Sequence, residues 1–121
     1  MGLLNKFTYS GRREGNACLV LVDGLPLDSR PGILSVPTGE FEWGYKGAGP
    51  SRLAFAILAH HFGDDRLALD AYRIFCDSVI SEIQEDEWSL ETGSIEARLQ
   101  GTVEVSMSLD ELLRRVRSSK R

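Results

Sequence analysis

The sequence predicts an α+β domain, with a small antiparallel sheet from the N-terminal half packed against an αα-hairpin and a C-terminal strand and helix appended. Three observations carry this reading. Period-two apolar patterns are concentrated before Lys46, helix-period patterns occupy residues 50–79 with one break at Gly63-Asp64, and a last alternating run precedes a capping box at Ser108 and Glu111.

The elements follow in order. Lys6 to Ser10 alternates, with Phe7 and Tyr9 on one side, and "GRREGN" reads as the turn after it. Ala17 to Val22, "ACLVLV", is apolar on both faces and reads as a central strand. It ends at Asp23-Gly24, a type I′ hairpin signal, and Pro26 makes the return strand a short edge. The prolines and glycines of "DSRPGILSVPTG" indicate a loop. Phe41, Trp43 and Tyr45, alternating with Glu40 and Glu42, predict a third strand. Gly49 as N-cap and Pro50 at the first helical position open a helix that closes at Gly63. Asp64-Asp65 starts the next, with Leu67, Ala71, Ile74, Phe75 and Val79 on its inner face. "TGSIEARLQ" allows a short helix, Thr102 to Met107 a late strand, and Leu109, Leu112, Leu113 and Val116 form the apolar side of a final helix.

A chain of 121 residues with 42% apolar residues is expected to form a single domain, residues 1–121, around one core. Cys18 and Cys76 lie far apart within apolar runs and read as reduced core thiols. No window approaches the ~18 apolar residues of a membrane span. "MGLLNKF" lacks a secretory pattern and Lys6 breaks the myristoylation pattern, so a cytoplasmic protein is expected. The net charge of −4 is uneven: Arg114, Arg115, Arg117, Lys120 and Arg121 crowd the last eight residues, leaving nine basic residues against eighteen acidic ones before them. Such a body repels nucleic acid, so contact with DNA or RNA would have to rest on the tail or on a local patch such as Arg12-Arg13.

The segment "FEWGYKGAGPSRLAFAIL", followed by "GDDRLALDAYRIF", resembles a bacterial and phage-associated family of small proteins classed as a domain of unknown function. "YSGR", "LVLVDGLPL" and "EWSLETGSIEARL" are similar to further segments of that family, and the likeness covers residues 6–100. It implies an origin in bacteria or mobile elements but transfers no catalytic residues. Residues 101–121 read as an extension beyond the family-like region.

The candidate sites are few. Gly44 to Ser51 has the outer glycine spacing of a phosphate-binding loop, but Pro50 stands where that loop needs lysine. What remains is an anion- or ligand-binding candidate made of Lys46, Gly47, Gly49, Ser51 and Arg52 at a helix N-terminus. His60 and His61, about 100° apart on a helix, do not form an i, i+4 metal pair, and no metal or cofactor is expected. No nucleophile elbow is present, and the acids at Glu85, Asp86, Glu87 and Glu91 read as a solvated or interacting face. Trp88, Arg12 and Arg13 are candidate contact residues. The function expected is a non-enzymatic protein-binding or regulatory module whose partner is another protein. The alternatives are an anion- or nucleotide-binding domain using the glycine-rich loop and, third, a nucleic-acid-associated protein using the basic tail.

Overall fold

The structure is a computed structural model and describes residues 6–103. Its strands are β1 (Thr8–Glu14), β2 (Ala17–Val22), β3 (Leu25–Pro26) and β4 (Glu87–Glu91), and its α-helices α1 (Ala48–Phe62), α2 (Asp65–Ser78) and α3 (Thr92–Val103). The strands form one sheet in the order β3-β2-β1-β4, antiparallel throughout. This is the expected α+β arrangement of sheet, αα-hairpin, and C-terminal strand and helix.

Asp23 and Gly24 both take positive φ, 51° and 86°, which is the type I′ geometry that the Asp-Gly pair favours. Asp23 also fastens the neighbouring strand: its Oδ1 accepts from the Thr8 N–H at 2.9 Å and its own N–H donates to the Thr8 carbonyl at 2.8 Å. Between the long helices, Gly63 adopts the left-handed conformation and caps α1, while the Asp64 carboxylate accepts from the backbone N–H groups of Arg66 and Leu67 to open α2. A two-residue break therefore folds α2 back on α1. The buried side of α2 carries Leu67, Ala71 and Phe75 as expected, with Ala68, Tyr72 and Cys76 beside them; Ile74 is half-buried. Helix α1 is apolar on every side from Leu53 to Ala59, and all of those residues are buried. The inner sheet face, α2 and the loop through Val36 cover it.

Four expectations are corrected. β1 runs on through "GRRE" to Glu14 and leaves only Gly15-Asn16 as the turn. It does so because Gly11 accepts the ring of Trp88 on its inner side: a Cβ there would lie 2.4 Å from that ring. Phe41 to Tyr45 is not a strand. Its polar groups bond outward to other elements: Trp43 Nε1 donates to the Glu85 carbonyl at 2.9 Å, Gly44 N–H to the Ile80 carbonyl at 3.0 Å, and the Trp43 carbonyl accepts from Arg13 at 2.9 Å. The N-cap of α1 is Gly47, not Gly49, so Pro50 stands at the third helical position. Finally, Thr102 and Val103 are helical, inside α3. The rest of the late strand, the helix from Ser108 and the basic tail lie outside the described residues.

Candidate interaction surface

Strand register assigns the two faces of the sheet. Tyr9 pairs with Val22 and Leu90, and Gly11 with Val20 and Trp88; these point inward to the helices. The opposite face carries three parallel rows. β2 and β3 contribute Ala17, Leu19, Leu21 and Pro26; β1 contributes Thr8, Ser10, Arg12 and Glu14; β4 contributes Glu87, Ser89 and Glu91. The surface thus grades from apolar through hydroxyl and guanidinium to acidic. Among the described residues no helix covers it, and Leu19 is 39% exposed. A depression of about 480 Å³ runs across its centre, lined by Ser10, Arg12, Leu19, Leu21 and Ser89. An antiparallel sheet often faces water on one side, but then its outer residues are normally polar. β2 breaks that rule with Leu19 and Leu21.

Of the residues expected to make contacts, only Arg12 has its side chain on this face, where it pairs with Glu14 and, at 4.0 Å, with Glu87. Arg13 points inward. Its guanidinium bonds Asp86 Oδ1 and Glu42 Oε1, each at 2.9 Å, and lies 4.6 Å above the Trp43 ring. Burial would raise the Glu42 carboxyl, but bonds from Arg13, Cys18 and the Trp43 N–H outweigh it and hold the group below the usual carboxylate range. Trp88 packs edge-on to Trp43, with ring centroids 5.5 Å apart, and its Nε1–H is buried without a partner. Trp88 also borders the depression, while its ring packs against the core.

The residues proposed for an anion have individual engagements. Arg52 is 2% exposed and all five of its N–H donors are engaged by carbonyls, those of Ser29, Arg30, Ile33, Val36 and Pro37, at 2.8–3.2 Å. It organises the loop ahead of α1 and keeps no donor for a ligand. Gly49 is occupied differently: a Cβ there would lie 2.6 Å from the Glu40 carbonyl and 2.9 Å from the Glu42 Cβ, so its hydrogen lets residues 40–42 cross the first turn of α1. Gly47 has extended backbone and lies against the Tyr45 ring. Lys46 is exposed, and Ser51 lines a separate groove with Leu34, Pro37, Tyr72 and Cys76. The glycine-rich turn is explained by close backbone approach.

The two histidines engage different partners. Tyr9 Oη and His60 Nδ1 are 2.8 Å apart, with Phe7 packed edge-on to the imidazole. The His61 side chain is 6% exposed, its Nε2 3.5 Å from a Glu96 oxygen and its Nδ1 without a partner. Burial lowers the His61 pKa, against the pull of Glu96 and with the help of His60. The unfolded chain, titrating near ~6.5, therefore takes up protons that the folded chain refuses, and stability falls as pH drops below that value. Thermal melts from pH 7.5 to 5.5 are expected to show a declining Tm, and His61→Gln a shallower decline; an unchanged slope in that variant contradicts the assignment.

The composition of the outer face is hidden from sequence reasoning because β4 is hidden. Glu87, Ser89 and Glu91 are weak strand formers, and only Trp88 and Leu90 alternate. The apolar run "ACLVLV" also suggests burial on both faces, whereas only Val20 and Val22 are fully buried.

A small α+β domain with one graded sheet face, uncovered among the described residues, is the class these features define. The chain belongs to the family of unknown function DUF6166, whose model matches residues 9–101. No curated protein and no solved structure matches it. Among the described residues, no helix is long and apolar enough to cross a membrane.

Proposed function

We propose that the chain is a non-enzymatic protein-binding module and that the outer sheet face is its working surface. The single observation behind this reading is the row of exposed Leu19 and half-buried Leu21, which no described helix covers, beside Ser10, Arg12 and the acidic row of β4. An apolar strip rimmed by polar and charged groups is the usual composition of a protein contact. The partner it fits presents apolar side chains flanked by basic ones. Arg12, held between Glu14 and Glu87, sits where a contact residue fixes register.

The test substitutes Leu19→Lys together with Leu21→Thr. Both side chains lie outside the fully buried core, and threonine keeps strand propensity. Size fractionation of extracts from producing cells is expected to place the parent chain in an assembly larger than the purified chain alone, and the double variant at the purified chain's size. Co-migration of variant and parent, with circular dichroism unchanged, overturns the reading.

A further inference from the structure

We propose that the free edge of β4 takes up an extended, basic segment of a partner protein as a fifth, antiparallel strand. Backbone parity is the first ground. At the two ends of the ladder between β1 and β4, the Arg13 N–H donates to the Asp86 carbonyl and the Thr92 N–H to the Phe7 carbonyl, each at 3.0 Å. Those bonds bracket the register that pairs Tyr9 with Leu90 and Gly11 with Trp88, so residues 86, 88, 90 and 92 turn their backbone groups toward β1. Glu87, Ser89 and Glu91 therefore turn theirs the other way. Their N–H groups and the carbonyls of Glu87 and Ser89 have no hydrogen-bond partner among the described residues, and all three residues are exposed. Helix α3 does not close this edge. It turns to the helix layer, burying Ile95 and Leu99 and setting Glu96 3.5 Å from His61 of α1.

The two edges of the sheet are unequal. β3 is two residues long, its Pro26 has no N–H to offer, and the Leu27 N–H already bonds the Val20 carbonyl, so that side is blunted. β4 has five residues and no proline. Charge then selects the occupant. Glu87 and Glu91 flank Ser89 on the outer face; Glu91 has no ion pair among the described residues, and Glu87 has the 4.0 Å approach of Arg12. A second copy of β4 centred antiparallel on Ser89 would set Glu87 opposite Glu91 of that copy, and like charges directly opposed are destabilising. A strand with Lys or Arg at i and i+4 meets both carboxylates instead, with a polar residue between them at Ser89. Its alternate residues face inward beside Leu90 and the half-buried Trp88, so they are apolar. Main-chain bonds give such an added strand its affinity, and the alternating side chains its specificity. The depression on the outer face reaches β4 at Glu87 and Ser89, which joins this edge to the leucine row. The inference names the partner's chemistry for the contact surface proposed above and rests on that reading for its role; the open ladder itself does not.

The experiment titrates the purified full chain with a capped peptide, Val-Lys-Val-Thr-Val-Lys-Val, to about 5 mM, above the ~1 mM dissociation constant of a weak single-strand contact. The NMR amide signals of Glu87, Ser89 and Glu91 are expected to shift, and their hydrogen exchange to slow about threefold or more. Methylating the backbone nitrogen of the central threonine, which faces Ser89, is expected to weaken binding about tenfold or more, whereas methylating that of an adjacent valine, which points away from β4, leaves it. A peptide with glutamate in place of lysine is expected not to bind the parent and to bind Glu87→Lys with Glu91→Lys. No shift at the highest concentration, shifts confined to Leu19 and Leu21, or equal binding by the threonine-methylated or glutamate peptide each overturn the proposal; the methylated peptides test it on the parent chain even if the charge-reversed variant does not fold. The leucine row is unaltered in this experiment, so failure here with the fractionation result intact leaves the face as a contact without an added strand. Failure of the fractionation test with the ladder formed leaves the edge standing.

Discussion

Replacing Arg52 with leucine is expected to lower the unfolding free energy by about 3–5 kcal/mol in chemical denaturation, among the largest losses available to one substitution here. The guanidinium is 2% exposed and gathers five carbonyls from residues 29–37, a stretch with no regular secondary structure. Leucine supplies none of those donors, and each carbonyl must find water or go unpaired. Because the loop lies over α1, its release also uncovers Val36, which is 1% exposed. Thermolysin is then expected to cut at Ile33-Leu34 while the parent resists. Arg52→Lys is expected to recover less than half of the loss, since an ammonium has three donors and no planar fork. A change below about 1 kcal/mol in the leucine variant contradicts this role.

Trp43→Ala is expected to cost about 3–5 kcal/mol, the range for deleting a large buried aromatic. Trp43 is fully buried and joins parts that are distant in sequence: its indole N–H bonds the Glu85 carbonyl, its carbonyl accepts from Arg13 on β1, and its ring meets Trp88 on β4. The chain has two tryptophans, so fluorescence of the variant reports Trp88 alone. Without the neighbouring indole, and with water admitted in its place, the Trp88 emission is expected to move to longer wavelength than the parent's. Emission that stays at the parent position, with stability retained, contradicts the packing described for this pair.

The parts of the fold legible in sequence are those with a local physical cause. Asp23-Gly24 announces its turn because few residue pairs tolerate two positive φ angles, and Gly63-Asp64 announces the helix hairpin because one residue caps backward and the other forward. β4 and the segment 41–45 are not legible, for the opposite reason. Both are decided by non-local contacts: Trp88 finds its place against Gly11, Trp43 bonds Arg13 and Glu85, and Gly44 bonds Ile80. The alternation of Phe41, Trp43 and Tyr45 therefore matches a strand that tertiary bonding overrides. Arg52 shows the same limit. Beside glycines at a helix start, an arginine suggests an anion, and only the folded loop reveals five carbonyls already there. Leu19 and Leu21 read as core because sequence cannot say whether a second layer covers a strand.

The outer sheet face is the centre of this account, and site-specific photo-cross-linking in producing cells tests it most directly. A benzophenone amino acid is placed at Ser89 or Ser10 on that face, and at Asp70 on the exposed side of α2 as a control. Discrete cross-linked species to another protein from Ser89 and Ser10, absent from Asp70 and abolished by Leu19→Lys with Leu21→Thr, are the expected result. Equal cross-linking from all three positions, or none from the sheet, contradicts the assignment of this face as the working surface.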